Sequence, residues 1–493
     1  MVLISQLTLY IIMMSGRFDR EKEICRIALI NAPIDHRYKD STSLFCPPLG
    51  LMSIKAYLEQ KDDRFQVLLL DGMILTTNEI IRQMNTFHPE IVGVSIQLLS
   101  YKNALNICRE AKRHGVFVFL GGHHATQMAE KILAKRHKYI DCIICGDGEK
   151  PVFGLCSGKQ PFEIPGVVCW DSMHNKSFMI PMQSCDLDEY PNPYAAKGID
   201  FQPYFLNFKK SGFAYNGGKY YRMYSHKGCS FRAKGNRCVF CGRSDEGYRF
   251  FSVRRYFQNL SEMNVEKNDY VFDVGDDLSG NIQWLQDAVT YMQHKSVTVP
   301  NIGIFGRGDE ISAESAALLR QLGVVDVTIG IETGDSEVLI RTGKGINGAG
   351  IFYQAAKILF ENGIGITPSY VLGLPGETLR SLHNTINHAR ILYELSESIL
   401  GHPPGEIVAN LLEPIPGSDA FMVLERELPY KYLEEDLLEL ETMQRDYFCT
   451  SFSMNTSSYE RFRAELVKAG NIINHLAGFA DPQGWLHSEL QKG

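Results

Sequence analysis

Three cysteines fall within thirteen residues, in the segment His226-Lys-Gly-Cys-Ser-Phe-Arg-Ala-Lys-Gly-Asn-Arg-Cys-Val-Phe-Cys241. The closing Cys-x2-Cys, Cys238 and Cys241, lets two thiolates reach one centre from a single turn, while the preceding loop lets Cys229 fold back. Thiolates are the preferred ligands of iron–sulfur clusters and also bind zinc. Three thiolates on a cubane would leave one iron free for a substrate or cofactor. With His226 as a fourth ligand, the segment would instead form a structural zinc site, and the cysteines alone favour neither.

The segment resembles the signature of the radical SAM superfamily, in which Gly-Cys is followed by Cys-x-aromatic-Cys. The usual spacing is Cys-x3-Cys-x2-Cys, whereas this chain has Cys-x8-Cys-x2-Cys. We interpret residues 233–237 as a loop insertion that removes no ligand. The resemblance implies that Cys229, Cys238 and Cys241 hold a [4Fe–4S] cluster and form the catalytic centre, with S-adenosylmethionine (SAM) bound to the fourth iron.

Further segments resemble the superfamily, in the same order, between about residues 220 and 420. Asp276 and Asp277 follow the next strand, where members place acidic residues near the amino group of SAM. Glu332 ends a strand similar to the one beside the ribose, and residues 371–378 resemble the segment beside the adenine. The resemblance thus implies a SAM site that comprises Phe240, Asp276, Asp277, Arg307, Glu332, Gly373 and Pro375.

The first part of the chain, about residues 24–185, resembles the cobalamin-binding domain that precedes the barrel in one large radical SAM class. The resemblance rests on Asn-x-Pro at 31–33, Pro-Pro-Leu-Gly-Leu at 47–51 and Gly-Gly-x-His-Ala-Thr at 121–126. The Asp-x-His-x-x-Gly motif of other cobalamin proteins is missing from this part, so cobalt would lack a histidine ligand from that source. His123 and His124 could approach the corrin, but a histidine in such a turn more often hydrogen-bonds the backbone. The resemblance implies cobalamin contacts at Asp71, Ser95, Gln97, Gly121, Gly122, His123, His124, Gly146, Gly148 and Glu149.

The elements that position these residues follow from hydrophobic patterning. Apolar runs rich in Val and Ile, without strict alternation, predict strands buried on both faces, and helical segments separate them. Strand–helix alternation predicts a parallel sheet with helices on both faces, whose ligands bind at the carboxyl ends of the strands. In the first domain the predicted strands are 24–30, 66–70, 91–96, 116–120 and 140–145, and the predicted helices include 49–60 and 101–114.

A second alternating series begins near Tyr220. With the segment before the cysteines it gives about six strand–helix units, which predicts an incomplete relative of the eightfold barrel. Its predicted strands are 270–275, 302–305, 324–332, 365–373 and 406–414, and its helices include 281–293, 313–322, 350–362 and 378–395.

The fold class is therefore α/β: a doubly wound, Rossmann-like parallel-sheet domain, then a partial (β/α)6 barrel and a mostly helical tail. At 493 residues the chain has room for two to three domains. The prolines between about 150 and 215 indicate short strands and a linker. The predicted divisions are an apolar extension (1–23), the cobalamin-binding domain (24–185), a linker (186–215), the barrel (216–429) and a helical, substrate-related tail (430–493).

Composition narrows the choice of partners. A net charge of −7 and the lack of any basic tract argue against a nucleic-acid partner. The apolar residues 1–14 are too short for a membrane span and lack the features of a signal peptide. The twelve scattered cysteines indicate a reducing cytoplasm. The resemblance adds a one-electron reductant, such as flavodoxin or ferredoxin, and a small-molecule or natural-product substrate.

The resemblance implies reductive cleavage of SAM to a 5′-deoxyadenosyl radical, followed by methyl transfer from cobalamin to an unactivated centre of the substrate. Ring closure or ring rearrangement is the alternative within the class. A zinc-stabilised binding protein without radical activity is the alternative outside it. Neither substrate identity nor oligomeric state follows from the sequence.

Overall fold

A computed structural model describes residues 24–35, 45–211, 218–245, 247–346, 348–432 and 438–476. The apolar extension 1–23 lies outside these residues, as does the end of the tail. Within the described part of the chain, no helix is both long and apolar enough to cross a membrane.

The first domain is built on a seven-stranded sheet with strand order β2-β1-β3-β4-β5-β6-β7. Strands β1 to β5 are parallel, and β6 and β7 add an antiparallel edge. The order places a topological switch point between β1 and β3, where ligands of such sheets bind. The strands are Cys25–Asn31 (β1), Phe65–Asp71 (β2), Ile91–Ser95 (β3), Phe117–Gly121 (β4), Cys142–Ile144 (β5), Val167–Asp171 (β6) and Lys176–Met179 (β7).

Both faces of this sheet are buried. Along β1, Ile27 and Leu29 join one hydrophobic core, whereas Ala28 and Ile30 join another on the opposite face. Two neighbouring residues of a strand face opposite layers of helices, and both are buried. This explains the uninterrupted apolar runs in the sequence. The helices are Leu49–Lys61 (α1), Thr77–Phe87 (α2), Tyr101–Arg113 (α3), His123–Gln127 (α4), Ala129–Arg136 (α5), Glu149–Cys156 (α6) and, in the linker, Gln202–Lys210 (α7).

The second domain is a six-stranded, all-parallel open barrel with strand order β15-β14-β13-β12-β11-β8. A separate antiparallel hairpin, β9 and β10, carries the cysteine segment. The barrel strands are Tyr220–Met223 (β8), Tyr270–Asp273 (β11), Asn301–Gly306 (β12), Val324–Glu332 (β13), Gly365–Leu372 (β14) and Val408–Leu411 (β15), and the hairpin strands are His226–Gly228 (β9) and Tyr248–Phe250 (β10).

Helices cover the outside of the barrel. The outward residues of β13, such as Val327 and Ile329, are fully buried, whereas inward residues such as Asp326 and Thr328 line an internal cavity. The helices are Ser230–Ala233 (α8), Val253–Glu262 (α9), Ile282–Lys295 (α10), Ala313–Gln321 (α11), Ser336–Arg341 (α12), Gly350–Glu361 (α13), Leu379–Leu400 (α14), Asp419–Glu427 (α15), Pro429–Tyr432 (α16), Leu440–Ser451 (α17) and Thr456–His475 (α18).

Candidate active site

The cysteine segment begins at the tight end of the hairpin. Gly228 has φ +88°, and a Cβ at this position would lie 2.0 Å from the carbonyl oxygen of Gly247, so only glycine fits. Cys229 follows as the N-cap of α8. Burial raises the pKa of the Cys229 thiol, and the backbone N–H groups of Arg232 and Phe231 oppose that rise. Arg232 also donates from Nη1 to the Cys241 sulfur at 3.6 Å. Donors and a cation around the sulfurs suit thiolates that carry negative charge into a metal cluster.

His226 is not available as a fourth ligand. Its Nε2 accepts the backbone N–H of Asp277 at 3.0 Å, and its Nδ1 lies 2.8 Å from the Ser225 hydroxyl. Burial lowers the pKa of His226 to about 3, so the ring is neutral. Among the described residues, no group of three or more His, Cys, Asp and Glu side chains is arranged to hold a single metal ion. A structural zinc site would therefore lack His226 as its fourth ligand, whereas a cubane takes each thiolate on a different iron.

A buried ionic network lies beside Cys238. Lys344 Nζ pairs with Glu332 Oε1 at 2.7 Å and also donates to the carbonyl oxygen of Gly330. Burial raises the pKa of Cys238 to about 12, and nearby Lys344 and Arg307 oppose that rise. Glu332 has φ +68°, at a register shift between β13 and β14. Such strain in a non-glycine residue costs about 1–3 kcal/mol and clusters at functional sites.

Arg307 extends the same network. Its Nη2 bonds Asp309 at 2.8 Å and the carbonyl oxygen of Lys344 at 2.9 Å, and its guanidinium lies 4.5 Å from the ring centroid of Phe231. Phe231 in turn lies two residues after Cys229. The structure therefore brings the predicted SAM residues Arg307 and Glu332 together next to the cysteine segment.

A carboxyl pair fixes the start of the cysteine loop. The hydroxyl of Ser230 lies 2.7 Å from Asp277 Oδ2 and 2.8 Å from Glu310 Oε1. One hydroxyl cannot donate to both, so one carboxyl must carry a proton. Burial, followed by the hydrogen bond to Asp277, raises the pKa of Glu310 to about 8, which identifies Glu310 as the protonated partner.

The adjacent predicted residues Asp276 and Asp277 therefore have different surroundings. Asp277 is fully buried and accepts hydrogen bonds from the hydroxyls of Ser230 and Ser279. Asp276 lines the cavity between the domains and pairs with Arg243 Nη2 at 2.6 Å. Consecutive residues after a strand point in opposite directions, and the sequence does not tell which one faces inward.

Arg243 also contacts the first domain. Its Nη1 donates to His123 Nε2 at 3.2 Å. Burial and then Arg243 lower the pKa of His123, so its ring is neutral and accepts from the guanidinium. The Nε2 atom of His123 is thereby already bound to a protein donor.

The remaining predicted SAM residues lie in the turn after β14 and in the cysteine segment. Phe240 is half-buried against the hydrophobic core, and Pro375 is also half-buried. Gly373 has φ +92°, and a Cβ there would lie 2.3 Å from the ring of Phe448 in α17. Gly373 therefore permits close packing of the C-terminal helices against the end of β14.

The turn after Gly373 is held by a buried carboxyl. Glu377 Oε2 accepts the backbone N–H groups of Gly373 and Leu374, while Oε1 is buried without a partner. Burial raises the pKa of Glu377 to about 7, although both backbone N–H groups lower it.

This raised pKa predicts a pH-dependent stability. Between about pH 4.5 and pH 7 the folded state keeps a proton on Glu377 that the unfolded state has released, so the free energy of unfolding falls as pH rises. A shift from 4.5 to about 7 corresponds to up to about 3 kcal/mol. We expect Glu377→Gln, which mimics the protonated form, to match wild type at pH 5 and to be more stable at pH 8. Urea denaturation at both pH values, with exposed Glu465→Gln in α18 as control, tests this; equal differences at both pH values contradict it.

One cavity of about 1580 Å³ lies between the carboxyl ends of the first sheet and the interior of the barrel. Its wall includes Gly228, directly before Cys229, and polar inward residues of the barrel. Among these, Asp326 accepts from Thr367 at 3.0 Å, and burial raises its pKa to about 6. Eight predicted cobalamin residues line the same cavity: Ser95, Gln97, Gly121, Gly122, His123, Gly146, Gly148 and Glu149.

The cavity wall has room for a large planar group at Gly121. A Cβ added there would have no atom closer than 3.8 Å, because the position opens into the cavity. Gly50, also in the wall, would meet nothing within 4 Å. Glycines at the switch-point edge thus form a smooth cradle, which fits the flat ring expected of a corrinoid.

Two predicted cobalamin residues lie outside the cavity wall. Asp71 is buried by Asn31, Met73 and the hydroxyl of Tyr204, which donates at 2.6 Å, so it anchors the linker helix α7. His124 packs against Tyr101, its ring nitrogens have no partner, and burial lowers its pKa to about 4. Neither residue belongs to the cavity wall. In α4, consecutive histidines point to different faces, so His123 faces the cavity and His124 the core.

Sequence reasoning missed several residues of the site. Lys344 lies twelve residues after Glu332, and this short separation in sequence could have suggested the pair. Lys227 and Arg249 both bind Asp147, at 2.7 and 3.0 Å, and thereby join the cysteine hairpin to the first domain. No sequence signal identifies these contacts, because they depend on how the two domains dock.

Comparison with known proteins agrees with this division of the chain. A family model of the B12 binding domain matches residues 38–155, and a model of the Radical SAM superfamily matches residues 223–389. An uncharacterised methyltransferase of Pyrococcus horikoshii is 24% identical over 392 residues, which cover 75% of this chain and 79% of the relative.

Two solved structures share the fold. The cobalamin-dependent SAM radical enzyme OxsB, with aqua-cobalamin and SAM bound, has a TM-score of 0.63 at 16% identity, covering 83% of this chain and 62% of that one. The radical SAM methyltransferase TsrM of Kitasatospora setae, with cobalamin and a [4Fe–4S] cluster bound, has a TM-score of 0.62 at 15% identity, covering 81% and 78%. The expected α/β architecture, with a B12-binding domain ahead of a radical SAM domain, is confirmed.

Proposed function

The chain belongs to the radical SAM superfamily, in the class with a B12-binding domain, and on this premise we propose that it is a radical methyltransferase acting on a small molecule. Its cofactors are a [4Fe–4S] cluster, SAM and cobalamin. When bound, the cluster supplies the electron that cleaves SAM to a 5′-deoxyadenosyl radical, and cobalamin supplies the methyl group for an unactivated centre of the substrate.

The shared cavity is the observation that carries this proposal. Its wall combines the glycine cradle of the first domain, the residue before Cys229 and the polar interior of the barrel. A methyl donor, a radical source and a substrate must meet in one space, and a volume of about 1580 Å³ can hold large ligands together.

Each group of residues has a proposed role in this reaction. Cys229, Cys238 and Cys241 hold the cluster, with Arg232 donating to one sulfur. Glu332, Lys344 and Arg307 form a rigid polar wall for SAM, since each already has a fixed partner. Asp276 and Arg243 stand at the boundary between the two domains, where the methyl group would pass. The paired side chains orient the ligands without having to reorganise.

The salt bridges from Lys227 and Arg249 to Asp147 fix the distance between the two cofactor sites. They also help to close the cavity to water, which protects a radical from side reactions. We propose a reducing cytoplasm as the compartment, because none of the twelve cysteines forms a disulfide. A flavodoxin- or ferredoxin-type protein would deliver the electron.

The proposal is tested by product analysis. The protein is reconstituted anaerobically with iron, sulfide and hydroxocobalamin, then incubated with methyl-deuterated SAM and titanium(III) citrate. We expect mass spectrometry to detect both 5′-deoxyadenosine and S-adenosylhomocysteine. In parallel, the electron paramagnetic resonance spectrum of the reduced cluster should change when SAM is added, a readout that needs no substrate.

The outcomes separate the candidate reactions. 5′-Deoxyadenosine without S-adenosylhomocysteine would favour ring closure or rearrangement over methyl transfer. An intact cluster whose electron paramagnetic resonance spectrum does not change when SAM is added would overturn the assignment of the SAM site. A preparation that binds zinc and assembles no cluster would overturn the radical chemistry itself.

A further inference from the structure

The reduction of the cluster needs an electron from outside the protein, and the inserted loop 233–237 offers a route. This inference rests on the proposed function. All five residues of the loop are exposed, although the loop joins two cluster cysteines, Cys229 and Cys238. Lys234 lies four residues before Cys238, so their Cα atoms are at most about 14 Å apart. A partner that touches this loop would therefore lie close to the cluster.

The loop continues into a wider surface formed by α12 and the start of α14. Gly343 lies against the carbonyl oxygen of Arg237, at 2.8 Å from its Cβ position, and the Arg341 guanidinium lies over Gly376. We call this surface the basic patch. It comprises Lys234, Arg237, Ile340, Arg341, Leu379 and Arg380, all of them exposed.

The charge of the basic patch is unusual in this chain, whose net charge is −7. Three acidic groups adjoin it: Asp419 pairs with Arg237 at 3.0 Å, Asp335 lies near Arg380, and Glu337 lies one turn before Arg341 on α12. Lys234 and Arg341 pair with no carboxylate among the described residues. Uncompensated cations here would attract an acidic surface and speed its encounter with the protein.

The basic patch also exposes two aliphatic side chains. Ile340 is 56% exposed and Leu379 is 58% exposed, the largest values among the exposed Leu and Ile side chains of the described chain. Protein interfaces combine such apolar contacts at the centre with charges at the rim. Apolar and basic groups around the cluster loop thus form a surface suited to a protein partner.

We propose that the basic patch docks an acidic one-electron carrier protein of the flavodoxin or ferredoxin kind. The carrier is oxidised by one electron and the cluster is reduced by one electron, with no atom transferred. The inserted residues 233–237 therefore act as part of a docking site that a chain with the shorter cysteine spacing would lack.

The test compares a charge-reversed variant, Lys234→Glu with Arg380→Glu, with wild type. Formation of 5′-deoxyadenosine is measured with flavodoxin, flavodoxin reductase and NADPH, and separately with titanium(III) citrate. We expect the flavodoxin-driven rate at limiting flavodoxin to fall about tenfold or more, and the chemically driven rate to stay unchanged. Lys135→Glu, which reverses an exposed charge on α5 in the other domain, is the matched control and should leave both rates unchanged.

Direct binding gives a readout that does not require turnover. Biolayer interferometry of flavodoxin on the reconstituted protein should show weaker binding for the double variant, with equal iron content and circular dichroism. Unchanged flavodoxin binding, or equal loss of both rates, would overturn the docking proposal. Loss of chemically driven 5′-deoxyadenosine in wild type would instead count against the proposed function and leave the binding result to decide on docking.

Discussion

A Cys238→Ala variant should assemble no intact [4Fe–4S] cluster and should form no 5′-deoxyadenosine above background. Cys238 is the first cysteine of the Cys-x2-Cys turn and lies beside the network of Lys344, Glu332 and Arg307. Its loss leaves one iron of the cubane without a protein ligand, and the remaining thiolates, Cys229 and Cys241, cannot replace it. Without an intact cluster, no group can supply the electron for SAM cleavage. Formation of 5′-deoxyadenosine should therefore be lost completely.

Iron and acid-labile sulfide analysis, the absorbance of the cluster and mass spectrometry of the products measure this effect. Cys449→Ala is the matched control, because Cys449 is a half-buried thiol in α17 outside the proposed site. The control should retain iron, sulfide and 5′-deoxyadenosine at wild-type levels. Wild-type turnover in Cys238→Ala would remove this cysteine from the ligand set.

The second large effect is expected at the glycine cradle. Gly121→Leu should fold normally and lose most of its cobalamin. A Cβ at Gly121 meets no atom closer than 3.8 Å, so the new side chain enters open cavity space and not the core. If a corrinoid fills that space, the overlap costs roughly 1–3 kcal/mol, which weakens binding by about 5- to 150-fold.

Cobalt content and the visible spectrum after gel filtration measure cobalamin retention. Gly350→Leu is the control, since a Cβ at Gly350 also meets nothing within 4 Å, but this residue is exposed at the start of α13. In Gly121→Leu, S-adenosylhomocysteine should fall while the cluster still forms. Full cobalamin retention in this variant would place the corrinoid elsewhere.

Much of the fold can be predicted from the sequence, because central strands are paired along both edges and bury long runs of apolar residues. Strand β13 was predicted at 324–332 and has the same bounds in the structure, because it pairs with β12 and with β14 and buries its outward Val and Ile side chains. Strand β15 pairs only with β14 and is shorter than predicted, at Val408–Leu411. Edge strands have fewer partners to specify their length.

The stretch between about 150 and 215 was harder to interpret. It supplies β6 and β7, which complete the first sheet in antiparallel fashion, and then α7. Prolines indicated breaks, yet they did not reveal that Tyr204 of α7 donates to Asp71 of β2. Contacts of this kind depend on tertiary docking and leave no local periodicity.

The candidate site also has some residues that the sequence predicts and others that it does not. Cysteine spacing predicts the proposed cluster ligands because the three residues are close in sequence. Asp276 and Asp277 could not be separated, since one residue of difference decides which carboxylate faces the cavity. Arg243, two residues after Cys241, gave no signal, because its role depends on His123 from another domain.

The salt bridges that join Lys227 and Arg249 to Asp147 have a consequence for evolution and engineering. Asp147 belongs to the first domain, whereas its two partners flank the cysteine segment on β9 and β10. Exchanging one domain for that of a distant relative would leave two cations or one carboxylate unpaired in a mostly buried position, at a cost of several kcal/mol. The two halves must therefore be inherited together, and a chimaera should carry residues 147, 227 and 249 from a single parent.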